Sequence, residues 1–258
     1  MKPLDRFDGV MVGTLRERCG VPDLRVVDVT RSTNDDLRRL AENGAPGWTT
    51  IVADFQEAGR GSGGRPWLAR PGQSLLFSTL VRYHDSAAFL TAAPVRTGLR
   101  VARSIERIAG VPALVKWPND VYIHDRKVAG ILCEGAASTR AGYVVVGIGI
   151  NVAQQDWPDD LPNPISLLQA TGRMVSRADL LVAILGELMA LPALCEPLDE
   201  TELEQLRVRD CLRGHSIAVD DRPAGVADGI TAEGELRVIG PDQRRTFLHS
   251  GSVRLSEP

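Results

Sequence analysis

Residues 56–67 read QEAGRGSGGRPW, between strands predicted at 49–54 and 74–83. Glycine lets a backbone approach a ligand closely, and the guanidinium groups of Arg60 and Arg65 stay charged and can bind carboxylate or phosphate oxygens. Gln56 and Trp67 bracket this loop, and the large indole ring is expected to fix an otherwise flexible segment. No P-loop pattern occurs in the chain. The stretch therefore predicts an anion-binding loop suited to activating an acid with a nucleotide.

Residues 116–120 read KWPND, and Lys127 follows seven residues after Asp120. Proline and the Asn-Asp pair favour turns, so the motif by itself indicates only a turn. The residues between Asp120 and Lys127 can form a β-hairpin that returns the lysine to Asn119 and Asp120. A lysine beside an acid and an amide can hold a carboxylate and a phosphate together.

Two further motifs carry polar or small residues at the ends of predicted elements. Ser32, Thr33 and Asn34 follow a strand at 24–29 and precede a helix, where they can cap the helix or bind the polar edge of a small ligand. The segment 147–151 reads GIGIN. Its glycines permit close packing of a strand or leave room for a ligand.

Composition narrows the class of protein. The chain has 258 residues, 43% hydrophobic and 24% charged, with a net charge of −3, so no global positive charge attracts nucleic acid. The four cysteines form no C-x-x-C pair and are expected to be reduced thiols. No signal-peptide core or apolar run of membrane-spanning length occurs. We expect a cytoplasmic protein that binds neither DNA nor membranes.

The order of elements predicts an α+β fold with a mixed, mainly antiparallel sheet and flanking helices on one side. Helices are expected at 86–109, 176–194 and 198–212. The short strands after Gly214 predict a small C-terminal β-barrel. We divide the chain into a catalytic domain, residues 1–212, and a barrel domain, residues 213–258.

Taken in order, these motifs resemble those of the biotin protein ligases, and the resemblance runs from about Leu24 to Leu255. The matching motifs are Ser32-Thr33-Asn34, Gln56 with Gly59-Arg60-Gly61 and Gly64-Arg65-x-Trp67, Lys116-Trp117-Pro118-Asn119-Asp120, 126–134, and Gly147-x-Gly149-Ile150-Asn151. The resemblance implies a class II synthetase-like catalytic domain, as in biotin and lipoyl ligases, followed by an SH3-like barrel.

The resemblance also implies roles for individual residues. Arg60 and Lys127 would neutralise the biotin carboxylate and the ATP α-phosphate, and Asp120 would take the proton of the acceptor amine and help to hold Mg²⁺. The implied biotin and adenylate contacts are Ser32, Thr33, Asn34, Gln56, Gly59, Arg60, Gly61, Ser62, Arg65, Trp67, Lys116, Asn119, Lys127, Gly130, Gly147 and Asn151.

The implied activity is that of a biotin–[biotin carboxyl-carrier protein] ligase, which uses ATP and Mg²⁺ to make biotinyl-5'-AMP and transfers biotin to a lysine of a carboxylase carrier domain. A lipoate or octanoate ligase or transferase, and a non-catalytic biotin sensor, stay open as alternatives. About 23 residues precede the matching region, so we expect a monofunctional enzyme without a DNA-binding head. A homodimer is possible.

One position departs from the family pattern. Ser62 stands where these ligases usually carry a second arginine in the Gly-Arg-Gly-Arg run. Serine donates a hydrogen bond but cannot form an ion pair with a carboxylate or phosphate. We therefore expect the loop to retain the adenylate less firmly.

Overall fold

The computed structural model describes residues 2–84, 90–136, 141–159, 161, 163–191 and 193–256. Its strands are β1 (Arg6–Phe7), β2 (Val10–Met11), β3 (Leu24–Thr30), β4 (Thr50–Gln56), β5 (Ser74–His84), β6 (Leu114–Lys116), β7 (Asp120–Ile123), β8 (Arg126–Ala136), β9 (Ala141–Asn151), β10 (Ser216–Val219), β11 (Arg222–Ile230), β12 (Leu236–Ile239), β13 (Arg245–Leu248) and β14 (Val253–Leu255). Its helices are α1 (Val12–Cys19), α2 (Thr33–Glu42), α3 (Ala92–Ala109), α4 (Leu167–Thr171), α5 (Arg177–Met189) and α6 (Glu200–Arg207).

A seven-stranded sheet forms the centre of the molecule, in the order β3-β4-β5-β9-β8-β7-β6. The β3–β4 pair, joined through α2, is parallel, and the other pairs are antiparallel. The α+β fold with a mixed, mainly antiparallel sheet is thus confirmed. The paired strands β4, β5, β8 and β9 bring the two glycine motifs and the hairpin lysine to one region.

Helices cover both faces of this sheet, whereas the sequence predicted one. Leu37 of α2 packs on Ile51, Leu80 and Val145, while the alternate residues of the same strands pack with α3 and α5 in the larger core. Successive side chains of a strand point to opposite faces, so both faces need cover. The prediction of helices on one side was wrong because these strands are apolar on both faces.

Helix ends differ from the sequence predictions by several residues. The helix predicted at 176–194 is α5, which ends at Met189, and the one predicted at 198–212 is α6, which ends at Arg207. Ser176 and Asp199 cap their first turns by accepting backbone hydrogen bonds. The helix predicted at 86–109 is described from Ala92, and residues 86–89 of the prediction lie outside the described residues.

The N-terminal segment forms structure that the sequence analysis did not predict. A β1–β2 hairpin leads into α1, which packs against α5. Just before it, Leu4 N–H donates to the carbonyl oxygen of Val26 (2.9 Å), so the segment also covers the edge of β3. The strands are two residues long, too short for a visible alternating pattern.

The C-terminal strands form a five-stranded antiparallel sheet in the order β13-β12-β11-β10-β14. The edge strands β13 and β14 are not paired with each other in the described chain, so the predicted closed barrel is an open sheet. Residues of β13 are mostly exposed, as is usual for a short edge strand carrying charge. The division at residue 212 remains a prediction, because Ile217, Leu236 and Val253 belong to the same hydrophobic core as the large domain.

The four cysteines are free, and none is in a disulfide. Burial raises the pKa of the Cys19 and Cys195 thiols to about 11. In the part of the chain that the structure describes, no helix has the length and apolar character needed to cross a bilayer.

Candidate functional site

A narrow cavity of about 40 Å³ opens where the N-terminus of α2 meets β5, β8, β9 and the loop 57–67. Twelve residues predicted to bind ligand line it: Ser32, Thr33, Asn34, Gln56, Arg60, Gly61, Ser62, Trp67, Asn119, Lys127, Gly130 and Gly147. The sheet and the α2 N-terminus therefore bring together five motifs that are far apart in sequence.

Five polar side chains join into one hydrogen-bonded chain beside the cavity. Thr33 lies at its centre: its backbone N–H donates to Oε1 of Gln56 (2.7 Å), and its hydroxyl lies 2.9 Å from the same oxygen and 2.7 Å from Oγ of Ser78. Ser78 donates to Oδ1 of Asn34 (2.5 Å), and Nδ2 of Asn34 donates to Glu134 (2.8 Å). Sequence reasoning assigned no role to Ser78 or Glu134.

Arg60 lies at the rim of the cavity between two carboxylates. Its Nη2 is 2.7 Å from Oδ1 of Asp35 and 3.1 Å from Oε2 of Glu134. Its side chain remains 37% exposed, so solvent screens these pairs and an anionic ligand can compete for the guanidinium group. Sequence reasoning missed Asp35 because an acid in the first turn of a helix has a sufficient explanation in the helix dipole.

The indole of Trp67 lies against glycines on two neighbouring strands. A Cβ atom would come within 2.8 Å of the ring at Gly130 and within 2.6 Å at Gly149. Nε1 of Trp67 is buried and has no hydrogen-bond partner in the described residues. The glycines in these two motifs thus make room for the loop tryptophan as well as for a ligand, and Gly149 was not among the predicted site residues.

Lys127 returns to Asp120 as the hairpin prediction required. Strands β7 and β8 pair antiparallel, and Nζ of Lys127 lies 2.6 Å from Oδ1 of Asp120. The ammonium group also lies 5.6 Å from the centre of the Trp67 ring, which favours a cation there. Asn119 is fixed beside them by two hydrogen bonds to the backbone of Ile131.

Some predicted residues lie outside the cavity. Arg65 and Asn151 line an adjoining pocket of about 350 Å³, which shares Gly61, Ser62, Trp67 and Lys127 with the cavity. Gly59 is buried behind the loop, where a Cβ atom would lie 2.9 Å from the carbonyl oxygen of Trp67. Asp120 reaches the cavity only through its ion pair with Lys127.

Lys116 lies at the end of β6 and lines neither space. Its Nζ donates to the hydroxyl of Tyr122 (3.3 Å) and lies 5.1 Å from the ring centre. Burial lowers the pKa of Lys116, partly offset by the negative charge of Asp120. Lys116 pairs with Asp120 in the β6–β7 register and so shares its face of the sheet, but its side chain packs on Tyr122 and the structure does not bring this predicted contact into the cavity.

The cavity offers limited ligands for a metal. The described residues contain no group of three or more histidine, cysteine or acidic side chains arranged to hold an ion. In nucleotide sites Mg²⁺ is commonly held by one or two carboxylates together with phosphate oxygens. Asp120 fits that lesser role, and the cavity does not form an all-protein cage.

Comparison with known proteins agrees with this geometry. Residues 26–151, which contain most of the cavity, match the profile of the Biotin/lipoate A/B protein ligase family. These residues form a biotin/lipoate ligase family domain. The match includes all five motifs and the strands that carry them.

Relatives of the biotin/lipoate ligase domain include proteins from several bacteria. The chain is similar to the bifunctional ligase/repressor BirA of Bacillus subtilis, with 39% identity over 61% of this chain and 50% of the relative. It is also similar to the biotin–[acetyl-CoA-carboxylase] ligase of Mycobacterium tuberculosis, with 36% identity over 66% of this chain and 64% of the relative. The chain spans about half the length of the curated relatives it matches first.

The similarity extends to a solved structure. The biotin protein ligase of Aquifex aeolicus in complex with biotin and ATP superposes with a TM-score of 0.76 and 26% identity, covering 91% of this chain and all of that one.

Proposed function

We propose that this protein activates biotin with ATP and transfers it to a lysine of a biotin carboxyl carrier domain. The cavity itself carries the proposal, because the polar groups of the buried Thr33 and the half-buried Gln56 line it together with the cations Arg60 and Lys127. Biotin has the matching ends, a polar ureido ring and a carboxylate. The dithiolane ring of lipoate has no N–H or carbonyl group to form hydrogen bonds with Thr33 and Gln56.

In the first step a biotin carboxylate oxygen attacks the α-phosphorus of ATP, which forms the mixed anhydride biotinyl-5'-AMP and releases pyrophosphate. Lys127 and Arg60 offset the negative charges that must approach each other and the charge that develops on the phosphate. Mg²⁺, when bound, would neutralise phosphate charge, with Asp120 as its protein ligand.

In the second step the neutral amine of the carrier lysine attacks the acyl carbonyl, an amide bond forms and AMP leaves. We assign Asp120 as acceptor of the amine proton. The enzyme otherwise holds the anhydride in place, since an acyl phosphate is already activated and requires mainly orientation.

The partner in this proposal is the carrier domain of an acyl-CoA or pyruvate carboxylase, and the compartment is the cytoplasm. DNA is not included as a partner, because the chain has a net charge of −3. A titration with DNA at low salt tests that exclusion, and retention of the protein on duplex DNA would contradict it.

Transfer of labelled biotin to a purified carrier domain tests the function directly. We expect incorporation that requires ATP and Mg²⁺ and falls by about 100-fold or more in Lys127→Ala, since loss of one charged group at a reacting centre has effects of that order. Lys127→Arg keeps the positive charge but replaces the compact ammonium group with a planar guanidinium group. This variant should recover only part of the rate.

The same assay separates the alternatives. Transfer of lipoate or octanoate in place of biotin would move the protein to the lipoate side of the family. Biotin binding without transfer would indicate a sensor, and the absence of binding to all three acids would contradict the proposal.

A further inference from the structure

The loop that brings Arg60, Ser62 and Trp67 to the cavity is long and rich in glycine. It comprises residues 57–73, between β4 and β5, and contains five glycines. Glycine loses more backbone freedom on folding than any other residue, so a segment of this composition is costly to order. The contacts that join the two ends of the loop therefore bear on how well its side chains are held at the cavity.

Backbone pairing joins these two ends only weakly. The antiparallel ladder between β4 and β5 reaches no further than Ala53 and Leu76. Beyond it, the N–H of Gly72 donates to the carbonyl oxygen of Asp54 at 3.3 Å, which is long for a backbone hydrogen bond. Residues 30–31 and 152–153 form hydrogen bonds with the two ends separately and do not join one end to the other.

The guanidinium group of Arg177 connects the two ends. Arg177 is the first residue of α5, and its Nη1 donates to Oδ1 of Asp54 (2.8 Å) and to the carbonyl oxygen of Ser74 (3.4 Å). Asp54 lies in β4 just before the loop, and Ser74 begins β5 just after it. One side chain thus closes the neck of loop 57–73, although it lines neither the cavity nor the adjoining pocket.

A second carboxylate holds this arginine in place. Nε of Arg177 lies 3.3 Å from Oδ1 of Asp8, in the turn between β1 and β2, and the backbone N–H of Arg177 donates to Oδ2 of Asp8 (2.7 Å). The centre of the Phe7 ring lies 4.6 Å from Cζ of Arg177, and only 12% of the arginine side chain is exposed. The planar guanidinium group can serve both carboxylates because its N–H groups point in fixed, different directions.

We propose that Arg177 is a positioning residue that closes the neck of loop 57–73 and so holds Arg60 and Trp67 at the cavity. The inference rests on the proposed function and deepens it, because this loop supplies a cation and an aromatic ring to the proposed biotin site. A loop that adopts the binding arrangement only part of the time weakens the apparent affinity by that fraction. The N-terminal hairpin takes part through Asp8, which orients the arginine from outside the cavity.

Hydrogen exchange and biotin binding, compared between the wild type and Arg177→Gln, test the proposal. The N–H groups of Gly61 and Trp67 form hydrogen bonds within the loop, and without ligand we expect them to exchange about tenfold faster in the variant. Biotin binding, measured by titration calorimetry, should weaken about tenfold, and biotinyl-adenylate should dissociate about tenfold faster. Arg177→Lys keeps the charge but cannot contact both carboxylates in this way, and should restore only part of each effect.

Variants of the two carboxylates separate positioning of the loop from a general loss of stability. Asp54→Ala removes the partner at the neck and should act like Arg177→Gln, so the double variant should lose little more biotin affinity than either single one. Asp8 accepts hydrogen bonds from the first two backbone N–H groups of α5. Asp8→Ala should therefore lower the free energy of unfolding, but it leaves the contact at the neck and should change biotin binding little.

Arg18→Gln is the matched control, because the described residues pair Arg18 only with Asp179, at 2.7 Å in the first turn of the same helix. It should leave exchange in the loop and biotin binding unchanged. Wild-type exchange in Arg177→Gln, or faster exchange with wild-type affinity for biotin, would overturn the inference, as would an equal loss of binding in Asp8→Ala. Hydrogen exchange needs no ligand, so a wild type that binds no biotin would reject the proposed function while the exchange rates still decide whether Arg177 orders the loop.

Discussion

At the scale of single residues, the site depends on side chains whose size or charge is set by an immediate neighbour. The Trp67 ring needs glycine at two facing positions, and Lys127 needs both that ring and Asp120 to hold its charge in place. Two predictions belong to this scale.

Ser62→Arg should slow the release of biotinyl-adenylate. Ser62 lines both the cavity and the adjoining pocket, where its hydroxyl accepts only a long contact of 3.4 Å from Arg65. A guanidinium group at this position can pair with phosphate, and we expect roughly tenfold slower release, equivalent to one charge-assisted hydrogen bond. Ser62→Ala is the control and should release the adenylate at about the wild-type rate. Release from the wild type as slow as from Ser62→Arg would contradict the weak retention that we infer from Ser62.

Gly149→Ala should reduce both stability and biotin binding. The new methyl group would lie 2.6 Å from Trp67, so the ring must move at a cost of about 1–3 kcal/mol in the free energy of unfolding. The matched change Gly186→Ala, in α5 with nothing within 4 Å of the added atom, should raise that free energy by about 0.5–1 kcal/mol. Urea unfolding measures the free energy of unfolding of the two variants. Equal changes in the two would exclude the close contact between residue 149 and the Trp67 ring.

At the scale of elements, ion pairs as well as apolar packing hold neighbouring helices together. Arg96 of α3 and Glu202 of α6 are both 3% exposed and lie 2.8 Å apart, and Arg96 also donates to four backbone carbonyl groups of the segment between α5 and α6. This network orders residues 193–199, which form no helix or strand. Apolar periodicity predicted the helices but not the ion pair between α3 and α6.

Glu202→Gln should lower the free energy of unfolding at pH 7 by about 3–5 kcal/mol, because it leaves a buried arginine without its counter-charge. Burial alone would raise the pKa of Glu202, but hydrogen bonds and charge from Arg96 outweigh it, and the pKa is lowered. A lowered pKa in the folded state stabilises the protein above the ordinary value near 4.5, and this contribution is lost as the pH falls through the lowered value.

Urea unfolding at pH 7 and at pH 4 measures this effect. The wild type should lose more stability between these values than Glu202→Gln does. Glu204→Gln, on the same helix but in an exposed pair with Arg207 at 3.5 Å, is the control and should change stability by less than about 1 kcal/mol. If the free energy of unfolding depended on pH in the same way in the wild type and in Glu202→Gln, the titration of Glu202 would not contribute to stability.

At the scale of the whole molecule, the C-terminal sheet contributes buried residues to the same hydrophobic core as the seven-stranded sheet. Nε1 of Trp117, in the KWPND motif, donates to the carbonyl oxygen of Gly234 (2.8 Å), and Thr91 donates to Glu233 (2.5 Å). The motif that carries Asn119 and Asp120 is therefore anchored partly by the C-terminal sheet. The fold links that sheet to the cavity without placing any of its residues there.

We expect the wild type to unfold in one transition, because one hydrophobic core spans both parts. Trp117→Phe should lower the free energy of unfolding by about 1–3 kcal/mol, since it leaves a buried carbonyl group without its donor. Trp157→Phe removes a similar hydrogen bond, to Gln169 at 3.1 Å on the surface, and should cost less than about 1 kcal/mol. Circular dichroism monitors the unfolding. Two separate unfolding transitions in the wild type would show that the C-terminal sheet is an independent domain.

The sequence by itself determined the elements and motifs whose signals are local. Apolar periodicity, capping residues and turn residues predicted the mixed sheet, α5 and α6 to within a few residues of their ends, the β7–β8 hairpin and the C-terminal strands. The spacing of the hairpin also predicted the approach of Lys127 to Asp120, because register and turn length fix which residues face each other.

Only the tertiary structure decided the features that depend on contacts between distant segments. Glu134 is 100 residues from Asn34, and Asp35 is 25 residues from Arg60, so no local pattern marks either pair. The packing of Lys116 on Tyr122, the contact of Gly149 with the Trp67 ring and the open edge of the C-terminal sheet likewise depend on the tertiary structure. Local propensity acts through neighbours along the chain, whereas hydrogen-bond direction and charge pairing act through space, and the fold alone makes those groups neighbours.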